Sequence, residues 1–235
     1  MGIEWESVKA VIFDVDGTLY AQAPLRRLML RDLLGYYVRR PWRLPELWLL
    51  QRFRAEREKR FGYAGGNLAE AQYAWCVARS FYSTEAAQRV VEQWLLQHPN
   101  QYLARCRYAG IRTLFRALRA RGIRIGVYSD YPALAKLAAL DLQADVVVSS
   151  TDAHIDRLKP DPAGLLYAAQ VLQVQPAQCL FVGDRPELDG ACARHARMPF
   201  LLVGQPGFDD AGGYHQFVAQ LINQPSPNHA PDATF

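Results

Sequence analysis

A short apolar run that ends in two aspartates constrains the fold of this 235-residue chain more than any other feature. Residues 8–13 read VKAVIF, and Asp14 and Asp16 come directly after them, followed by Gly17. A nearly continuous run of β-branched and aromatic residues is typical of a strand buried on both faces of a parallel sheet. Two carboxylates at the exit of such a strand repel each other and lose hydration, so they need a positive group beside them. The pattern therefore predicts a buried strand that ends at a site for a divalent cation and a phosphate.

Three further polar segments follow later in the chain. They are Ser129-Asp130 after the apolar run 123–128, the loop 157–162 around Lys159, and the segment 183–191, which carries Asp184 and Asp189 behind the apolar run 179–182. Each segment is a weak signal by itself, because a serine after a strand usually satisfies nearby backbone groups and a loop lysine is usually a solvated charge. Four such segments in one chain are much harder to explain by coincidence.

Strand candidates alternate with helical segments along the chain, which predicts an α/β fold with a doubly wound parallel sheet. The candidates are residues 8–13, 124–128, 146–148, 179–182 and 200–203. Such sheets bind ligands in the crevice at the carboxyl ends of their strands. We therefore expect Asp14, Ser129 and Asp184 to meet at one edge of the sheet, with Lys159 entering from its loop.

The four segments, in this order, resemble the motifs of the haloacid dehalogenase superfamily, specifically its phosphatase branch. The first segment reads DVDGTLY over residues 14–20, and the last has two aspartates five positions apart across a strand-to-helix turn. The resemblance covers residues 1–20 and about 109–220. It implies a Rossmann-like core and an enzyme that hydrolyses phosphate monoesters of small molecules.

The resemblance also implies catalytic roles for the matching residues. Asp14 would attack phosphorus and form an aspartyl-phosphate, and Asp16 would act as the general acid–base group. Ser129 would donate a hydrogen bond to a phosphoryl oxygen, while Lys159 would neutralise charge and orient Asp14. The residues implied to lie close to the substrate around these groups are Tyr20 and Asp130.

The cofactor implied by the resemblance is Mg²⁺. It would be held by the carboxylates of Asp14 and Asp184 and by the backbone carbonyl of Asp16. Hard oxygen ligands of this kind suit Mg²⁺ better than zinc. Asp189 would orient Lys159 or bind the metal through water.

Asp16 favours phosphate ester chemistry, because dehalogenases of the same superfamily lack an aspartate at this place. Two alternatives stay open. The first is a phosphomutase, which shares all four motifs and differs in whether water or a second substrate hydroxyl meets the aspartyl-phosphate. The second is a non-enzymatic binding protein of the same fold, which would contact a partner or a membrane through a basic helical region.

Residues 21–108 separate the first motif from the second and contain no convincing strand. Apolar spacing predicts helices over residues 24–38, 44–60, 67–82 and 84–97, with Asn67 and Thr84 as N-caps. In the family that the chain resembles, a helical insertion at this place forms a cap over the active site. We therefore predict a core of residues 1–20 and 109–223 and a small helical cap over 21–108, although one larger domain stays an alternative. The end of the chain, residues 224–235, lacks apolar periodicity and is predicted to be disordered.

Positive charge is concentrated in the predicted cap. Residues 26–60 hold eleven Arg or Lys and four Asp or Glu, although the whole chain carries only +4. Three explanations stay open: a solvated helix face, a funnel in which Arg26, Arg27 or Arg31 contacts a second anionic group of the substrate, and a surface for a membrane or nucleic acid. The expected partner is a small phosphorylated metabolite. No fold motif supports nucleic acid, and weak contact of the basic cap with a membrane surface stays open.

Cysteine usage and the chain ends indicate the compartment. The cysteines form no close-spaced pair, so we expect reduced thiols in an intracellular protein. They are Cys76, Cys106, Cys179 and Cys192. No apolar stretch is long enough for a transmembrane helix, and the first residues lack the basic and apolar regions of a signal peptide. We therefore predict a cytoplasmic protein.

Overall fold

The computed structural model describes residues 4–78 and 80–223, so the predicted disordered end, residues 224–235, lies outside it. Its core is a parallel five-stranded sheet with the strand order β3-β2-β1-β4-β5. The strands are β1 (Ala10–Phe13), β2 (Arg124–Ser129), β3 (Val146–Ser149), β4 (Cys179–Gly183) and β5 (Phe200–Leu202). The predicted α/β fold with a doubly wound parallel sheet is confirmed, and each predicted strand overlaps an observed one.

Helices flank and connect the strands in the described part of the chain. They are α1 (Gln22–Val38), α2 (Pro45–Glu58), α3 (Leu68–Val77), α4 (Thr84–Val91), α5 (Asn100–Cys106), α6 (Ile111–Ala120), α7 (Leu134–Ala139), α8 (Ala163–Val171), α9 (Ala191–Ala196) and α10 (His215–Ile222). Short 3₁₀ turns cover Pro41–Arg43 and Pro176–Gln178, and short π-helical segments cover Glu92–Gln97 and Pro186–Gly190.

Successive side chains of β1 point to opposite faces of the sheet, and each face has its own apolar core. Val11 and Phe13 lie in a cluster with residues of α6 and α10, whereas Ala10 and Ile12 lie in a cluster with residues of α8 and α9. All four side chains are at most 1% exposed. Burial on both faces of a central parallel strand is what the uninterrupted apolar run predicts.

The register of β1 brings the predicted site residues to one edge of the sheet. Phe13 lies opposite Val127 on β2 and Val182 on β4, so Asp14 follows at the carboxyl ends of all three strands. The backbone N–H of Asp14 donates to the carbonyl of Val182 at 2.9 Å. The strand order also changes direction between β1 and β4, which is the place where doubly wound sheets bind ligands.

The region between β1 and β2 is helical, and its described residues add no strand to the sheet. Helices α2, α3 and α4 share a third hydrophobic cluster, with Leu49, Phe53, Tyr73, Val91 and Trp94 among its buried members. The rings of Phe53 and Tyr73 stack at 5.7 Å between centroids. Helices α2, α3 and α4 therefore have an apolar core of their own, whereas Leu25 of α1 and Leu103 of α5 lie in the sheet cluster that contains Val11 and Phe13.

The start of α4 differs from the prediction. Its N-cap is Ser83, not Thr84, because Ser83 has the extended backbone of a cap and its Oγ accepts a hydrogen bond from the N–H of Ala86 at 3.2 Å. The predicted single helix over residues 84–97 is also wrong in detail. Helix α4 ends at Val91 and the chain continues as the π-helical segment Glu92–Gln97.

Helix α3 is capped by a residue far away in the sequence. Asn67 occupies the predicted N-cap position, but its φ of 61° is left-handed and its side chain makes no capping hydrogen bond. The carboxylate of Asp156 instead accepts hydrogen bonds from the backbone N–H groups of Gly66, Asn67 and Leu68. This contact joins the helical region to the loop that leads into Lys159. The helix ends at Val77, earlier than predicted.

Replacing Asp156 with alanine is expected to lower the free energy of unfolding by about 1 kcal/mol, since the variant loses a helix cap. The hydrogen bond from Leu68, with those from Asn67 and Gly66, lowers the pKa of Asp156 below its usual 3.8. The contribution of the ionised Asp156 carboxylate to the free energy of unfolding should therefore be complete above the unfolded-state pKa. It should disappear as the pH falls through the lower folded-state pKa. Urea unfolding at pH 7 and at acid pH measures both effects. Equal stability of the Asp156→Ala variant and an Asp210→Ala control, changed at an exposed position, would contradict the capping role.

Candidate active site

A buried lysine links two aspartates at the carboxyl edge of the sheet. Lys159 Nζ lies 2.6 Å from Asp14 Oδ1 and 2.9 Å from Asp189 Oδ1. The other carboxylate oxygen of Asp189 accepts the backbone N–H of Arg185 at 3.1 Å. Asp189 is thus held from both sides and orients Lys159 toward Asp14. The Oδ2 atom of Asp14 accepts a hydrogen bond from the Thr18 hydroxyl at 3.3 Å.

Burial dominates the electrostatics of this group. It raises the pKa of Asp14 well above the usual value, although Lys159 opposes the shift, and the charges of Asp189 and Asp184 raise it further. Burial by itself would lower the pKa of Lys159, but the charges of Asp14 and Asp189 raise it above its usual value. One lysine therefore cannot offset all three carboxylates, and the cluster retains a deficit of positive charge.

Asp184 completes an acidic cluster that fits a hard divalent cation. Asp14, Asp184 and Asp189 each offer a carboxylate oxygen, and these atoms lie within 4.8 Å of one another. In the described structure, Asp184 Oδ1 is buried without a hydrogen-bond partner, a state that costs free energy unless a ligand satisfies it. Burial, together with the charge of Asp189, raises the pKa of Asp184 to about 7. A cation bound to oxygen ligands would both satisfy this atom and stabilise its ionised form.

Gly17 allows the turn after Asp16 to pack tightly against this cluster. Its φ of +97° is in the left-handed region, and a Cβ atom here would overlap the carboxylate of Asp184. Only glycine adopts this backbone conformation without a steric penalty. The DVDG sequence therefore positions Asp14 and Asp16 while leaving room for the carboxylate from the end of β4.

Asp16 belongs to a second ion pair beside the acidic cluster. Lys136 Nζ lies 2.6 Å from each of its carboxylate oxygens, and the Tyr20 hydroxyl donates to Oδ1. Burial would raise the pKa of Asp16, but the charge and hydrogen bond of Lys136 and the hydrogen bond of Tyr20 lower it below the usual value. The backbone carbonyl of Asp16 accepts a hydrogen bond from Gln22 Nε2 at 2.8 Å. Asp16 is therefore held ionised and fixed in orientation.

Ser129 and Asp130 lie at the carboxyl end of β2, which neighbours β1 on the side away from β4. Ser129 is buried, and its Oγ accepts the backbone N–H of Tyr131 at 3.3 Å. The backbone carbonyl of Asp130 accepts a hydrogen bond from Arg57 Nη2 at 2.8 Å, and its carboxylate accepts one from the Ser150 hydroxyl at 3.3 Å. Asp130 therefore connects the core to α2.

Two residues that contact the predicted site residues, Lys136 and Arg57, were not predicted from the sequence. Lys136 had a detectable signal, because it is the single charge in the otherwise apolar run 133–140. Arg57 is buried and lies 4.4 Å over the ring of Tyr131, but nothing in the sequence distinguishes it from the neighbouring basic residues.

This combination of fold and residues agrees with the comparisons to known proteins. A family model described as haloacid dehalogenase-like hydrolase matches residues 8–197. The chain belongs to this family. A phosphoglycolate phosphatase of Rhodospirillum rubrum is 35% identical over 204 residues, which cover 83% of this chain and 79% of that protein. An N-acetylmuramic acid 6-phosphate phosphatase of Pseudomonas aeruginosa is 29% identical over 190 residues, covering 75% and 74% of the two chains.

Solved structures of haloacid dehalogenase-like proteins share the fold. A 2-haloacid dehalogenase from Pseudomonas syringae superposes with a TM-score of 0.58 at 23% identity, covering 85% of this chain and 88% of that one. A β-phosphoglucomutase from Clostridium difficile gives 0.55 at 18% identity, with 92% and 97% covered. The predicted family and its phosphatase branch are confirmed, and so is the prediction of an enzyme. Among the described helices, none combines the length and apolar character that a bilayer crossing requires.

Proposed function

We propose that the protein is a Mg²⁺-dependent hydrolase of small phosphate monoesters that forms an aspartyl-phosphate on Asp14. The observation that carries this proposal is the sharing of Lys159 between Asp14 and Asp189, beside a buried Asp184 oxygen without a partner. A nucleophilic carboxylate needs such positive charge nearby, because the phosphoryl oxygens it approaches are themselves negative. The phosphatase names of the relatives favour hydrolysis over the phosphomutase alternative.

The residues that would hold the metal are Asp14 and Asp184, through their carboxylates, and Asp16, through its backbone carbonyl. When bound, Mg²⁺ supplies positive charge that offsets the carboxylates and the phosphoryl oxygens. Asp189 binds Lys159 through one carboxylate oxygen and the Arg185 N–H through the other. Because Lys159 also contacts Asp14, we assign Asp189 to positioning Lys159.

The chemistry proceeds in two steps at Asp14. In the first, a carboxylate oxygen of Asp14 attacks phosphorus and the bond from phosphorus to the ester oxygen breaks. Asp16 is ionised beside Lys136 before the substrate binds, so it takes up a proton with the substrate and gives that proton to the departing alkoxide. In the second, water attacks phosphorus, Asp16 takes a proton from it, and the bond between Asp14 and phosphorus breaks to release phosphate. Lys159 and the Ser129 hydroxyl stabilise the charge on the transferring group. The ion pair of Asp16 with Lys136 supports its role as the base of the second step.

Residues 21–108 would act as a cap domain above this site. The separate hydrophobic cluster of α2, α3 and α4, and the contacts with the core through Arg57 and Asp156, support this division. Asp14 is only 6% exposed, and we propose that a substrate reaches it when the helical region moves away from the core. We propose a small phosphorylated metabolite as substrate, and 2-phosphoglycolate is the first compound to test because a relative is named for it.

We further propose that the protein works in the cytoplasm. All four cysteines are buried and free, which agrees with a reducing compartment.

Phosphate release from 2-phosphoglycolate and from a generic aryl phosphate tests the proposal. Turnover is expected with Mg²⁺ and should be lost in EDTA, and an Asp184→Asn variant should require a much higher Mg²⁺ concentration because it has one carboxylate fewer. Asp210→Asn, which removes an equal charge from an exposed position, serves as the matched control. Turnover in EDTA, or an unchanged Mg²⁺ requirement in Asp184→Asn, would contradict the proposed metal site.

Replacing Lys136 with methionine is expected to reduce kcat about 10- to 100-fold near pH 7. Without the lysine, burial raises the pKa of Asp16, so a smaller fraction is ionised and the acid limb of the pH–kcat profile moves to higher pH. Lys136→Arg keeps the charge and should restore most of the wild-type profile. A Lys136→Met variant with lower activity but an unshifted acid limb would show that the lysine acts only on packing.

A further inference from the structure

Exposed apolar side chains are concentrated on one part of the helical region. Of the fourteen large hydrophobic residues that are exposed in the described chain, seven fall within residues 30–48. They are Leu30, Leu34, Val38, Trp42, Leu44, Leu47 and Trp48. Single exposed hydrophobic residues are ordinary on protein surfaces, but such a concentration marks a surface that binds something.

These residues form a continuous path along the chain. Leu30, Leu34 and Val38 are spaced by four residues on α1 and so lie along one side of the helix. Trp42 follows in the 3₁₀ turn Pro41–Arg43, and the remaining three lie at the start of α2. The other side of α1 contacts the rest of the protein, because Leu33 and Tyr36 pack against the cluster formed by α2, α3 and α4.

The charges among these apolar residues are positive. Within residues 26–48, five arginines are exposed: Arg26, Arg27, Arg31, Arg39 and Arg40. The acidic residues between positions 26 and 48 are Asp32 and Glu46, and neither is exposed. Asp32 contacts His98 and Tyr102 and lies 3.6 Å from Arg31, which is itself exposed, and Glu46 contacts Arg43 and Tyr37. We call the seven apolar and five basic residues together the α1–α2 surface.

We propose that the α1–α2 surface binds the interface of an anionic lipid bilayer. Leucine and valine side chains would insert among the acyl chains, tryptophan suits the boundary between acyl chains and headgroups, and arginines bind lipid phosphates while their aliphatic stems stay apolar. The α1–α2 surface therefore combines the apolar, aromatic and cationic side chains that interfacial binding uses. Arg26, Arg27 and Arg31, which the sequence analysis considered as substrate contacts, would serve this surface instead.

Charge argues against the other occupants. A second copy of the chain bound through the same surface would bring two sets of five arginines into one interface, and like charges oppose such a contact. Nucleic acid would satisfy the arginines but would leave Leu30, Leu34 and Val38 without apolar contacts. An anionic bilayer provides both kinds of contact at once.

The inference does not depend on the proposed phosphatase activity, so its test measures binding alone. The full-length protein is sedimented with vesicles of phosphatidylcholine, with and without phosphatidylglycerol, at low and high salt. We expect binding to the anionic vesicles, weakening with salt, and a blue shift of tryptophan fluorescence on binding. Little binding to pure phosphatidylcholine is expected, because the arginines then lack anionic partners.

Variants separate the apolar and the basic contributions. Leu34→Ser with Trp42→Ser, and separately Arg27→Ser with Arg31→Ser, should each weaken vesicle binding about tenfold or more. Phe81→Ser and Arg116→Ser change exposed residues elsewhere and should bind like the wild type. Thermal unfolding should be unchanged in all of them, since the altered side chains are exposed.

Three results would overturn the proposal. The first is a failure of the wild type to bind anionic vesicles at low salt. The second is binding of the Leu34→Ser/Trp42→Ser variant that equals the wild type, which would indicate charge attraction alone. The third is a wild-type dimer in analytical ultracentrifugation that becomes monomeric in this variant without vesicle binding, which would assign the surface to self-association.

Discussion

An Asp14→Asn variant is expected to lose phosphate release by about 10⁴-fold or more, because an amide cannot form the phosphoryl-enzyme bond. The fold should persist. Lys159 keeps its contact with Asp189, and asparagine fills nearly the same volume as aspartate. The removal of one buried carboxylate also relieves repulsion from Asp184 and Asp189, which raise the pKa of Asp14 in the wild type. Phosphate release under saturating substrate and Mg²⁺ measures the loss, and circular dichroism checks the fold.

The Asp210→Asn variant is again the control for this experiment. It removes the same charge from an exposed position and should keep wild-type turnover. Substantial turnover by a folded Asp14→Asn protein would place the nucleophile elsewhere.

The second large effect is expected at Asp16. An Asp16→Asn variant should lose about two to four orders of magnitude in kcat, because asparagine neither gives a proton to the leaving group nor takes one from water. If the hydrolytic step is slowed more than the first, substrate should produce a burst of alkoxide product followed by slow release of phosphate. Rapid-quench measurement of both products separates the two steps.

The Asp16→Asn variant also leaves Lys136 buried without its carboxylate partner, which by itself destabilises the protein. A double variant, Asp16→Asn with Lys136→Met, removes both members of the pair and should recover stability without recovering turnover. Recovery of turnover in the double variant would mean that the loss came from an unpaired lysine. Near-wild-type turnover in folded Asp16→Asn would refute the acid–base role directly.

The sheet could be predicted from sequence because its signals are local. Each strand is a short apolar run that polar or glycine residues terminate, and burial on both faces requires that composition. The strand order was not predicted, since alternation with helices indicates a parallel sheet but does not determine which strands are neighbours. Helix ends were less predictable. The cap of α3 comes from Asp156, about ninety residues further along the chain, and no local pattern encodes such a contact.

The residues of the candidate site also divide into those with a local sequence signal and those that depend on contacts between distant parts of the chain. Asp14, Lys159, Asp184 and Asp189 follow strands or lie in a recognisable loop, and the structure brings them together as predicted. Lys136 contacts Asp16 from a helix 120 positions later, so its role depends on how α7 packs. The contact of Arg57 with the end of β2 similarly requires the helical region to be folded against the core.

The most direct test of the account is to trap the phosphoryl group on Asp14. Asp16→Asn protein is mixed with Mg²⁺ and substrate, quenched in acid, digested at low pH and analysed by mass spectrometry. The account predicts one added phosphoryl group on the peptide that contains Asp14, present with substrate and absent from the Asp14→Asn/Asp16→Asn double variant. A phosphoryl group on another residue, or substrate consumption in a single turnover with no modified peptide, would contradict it.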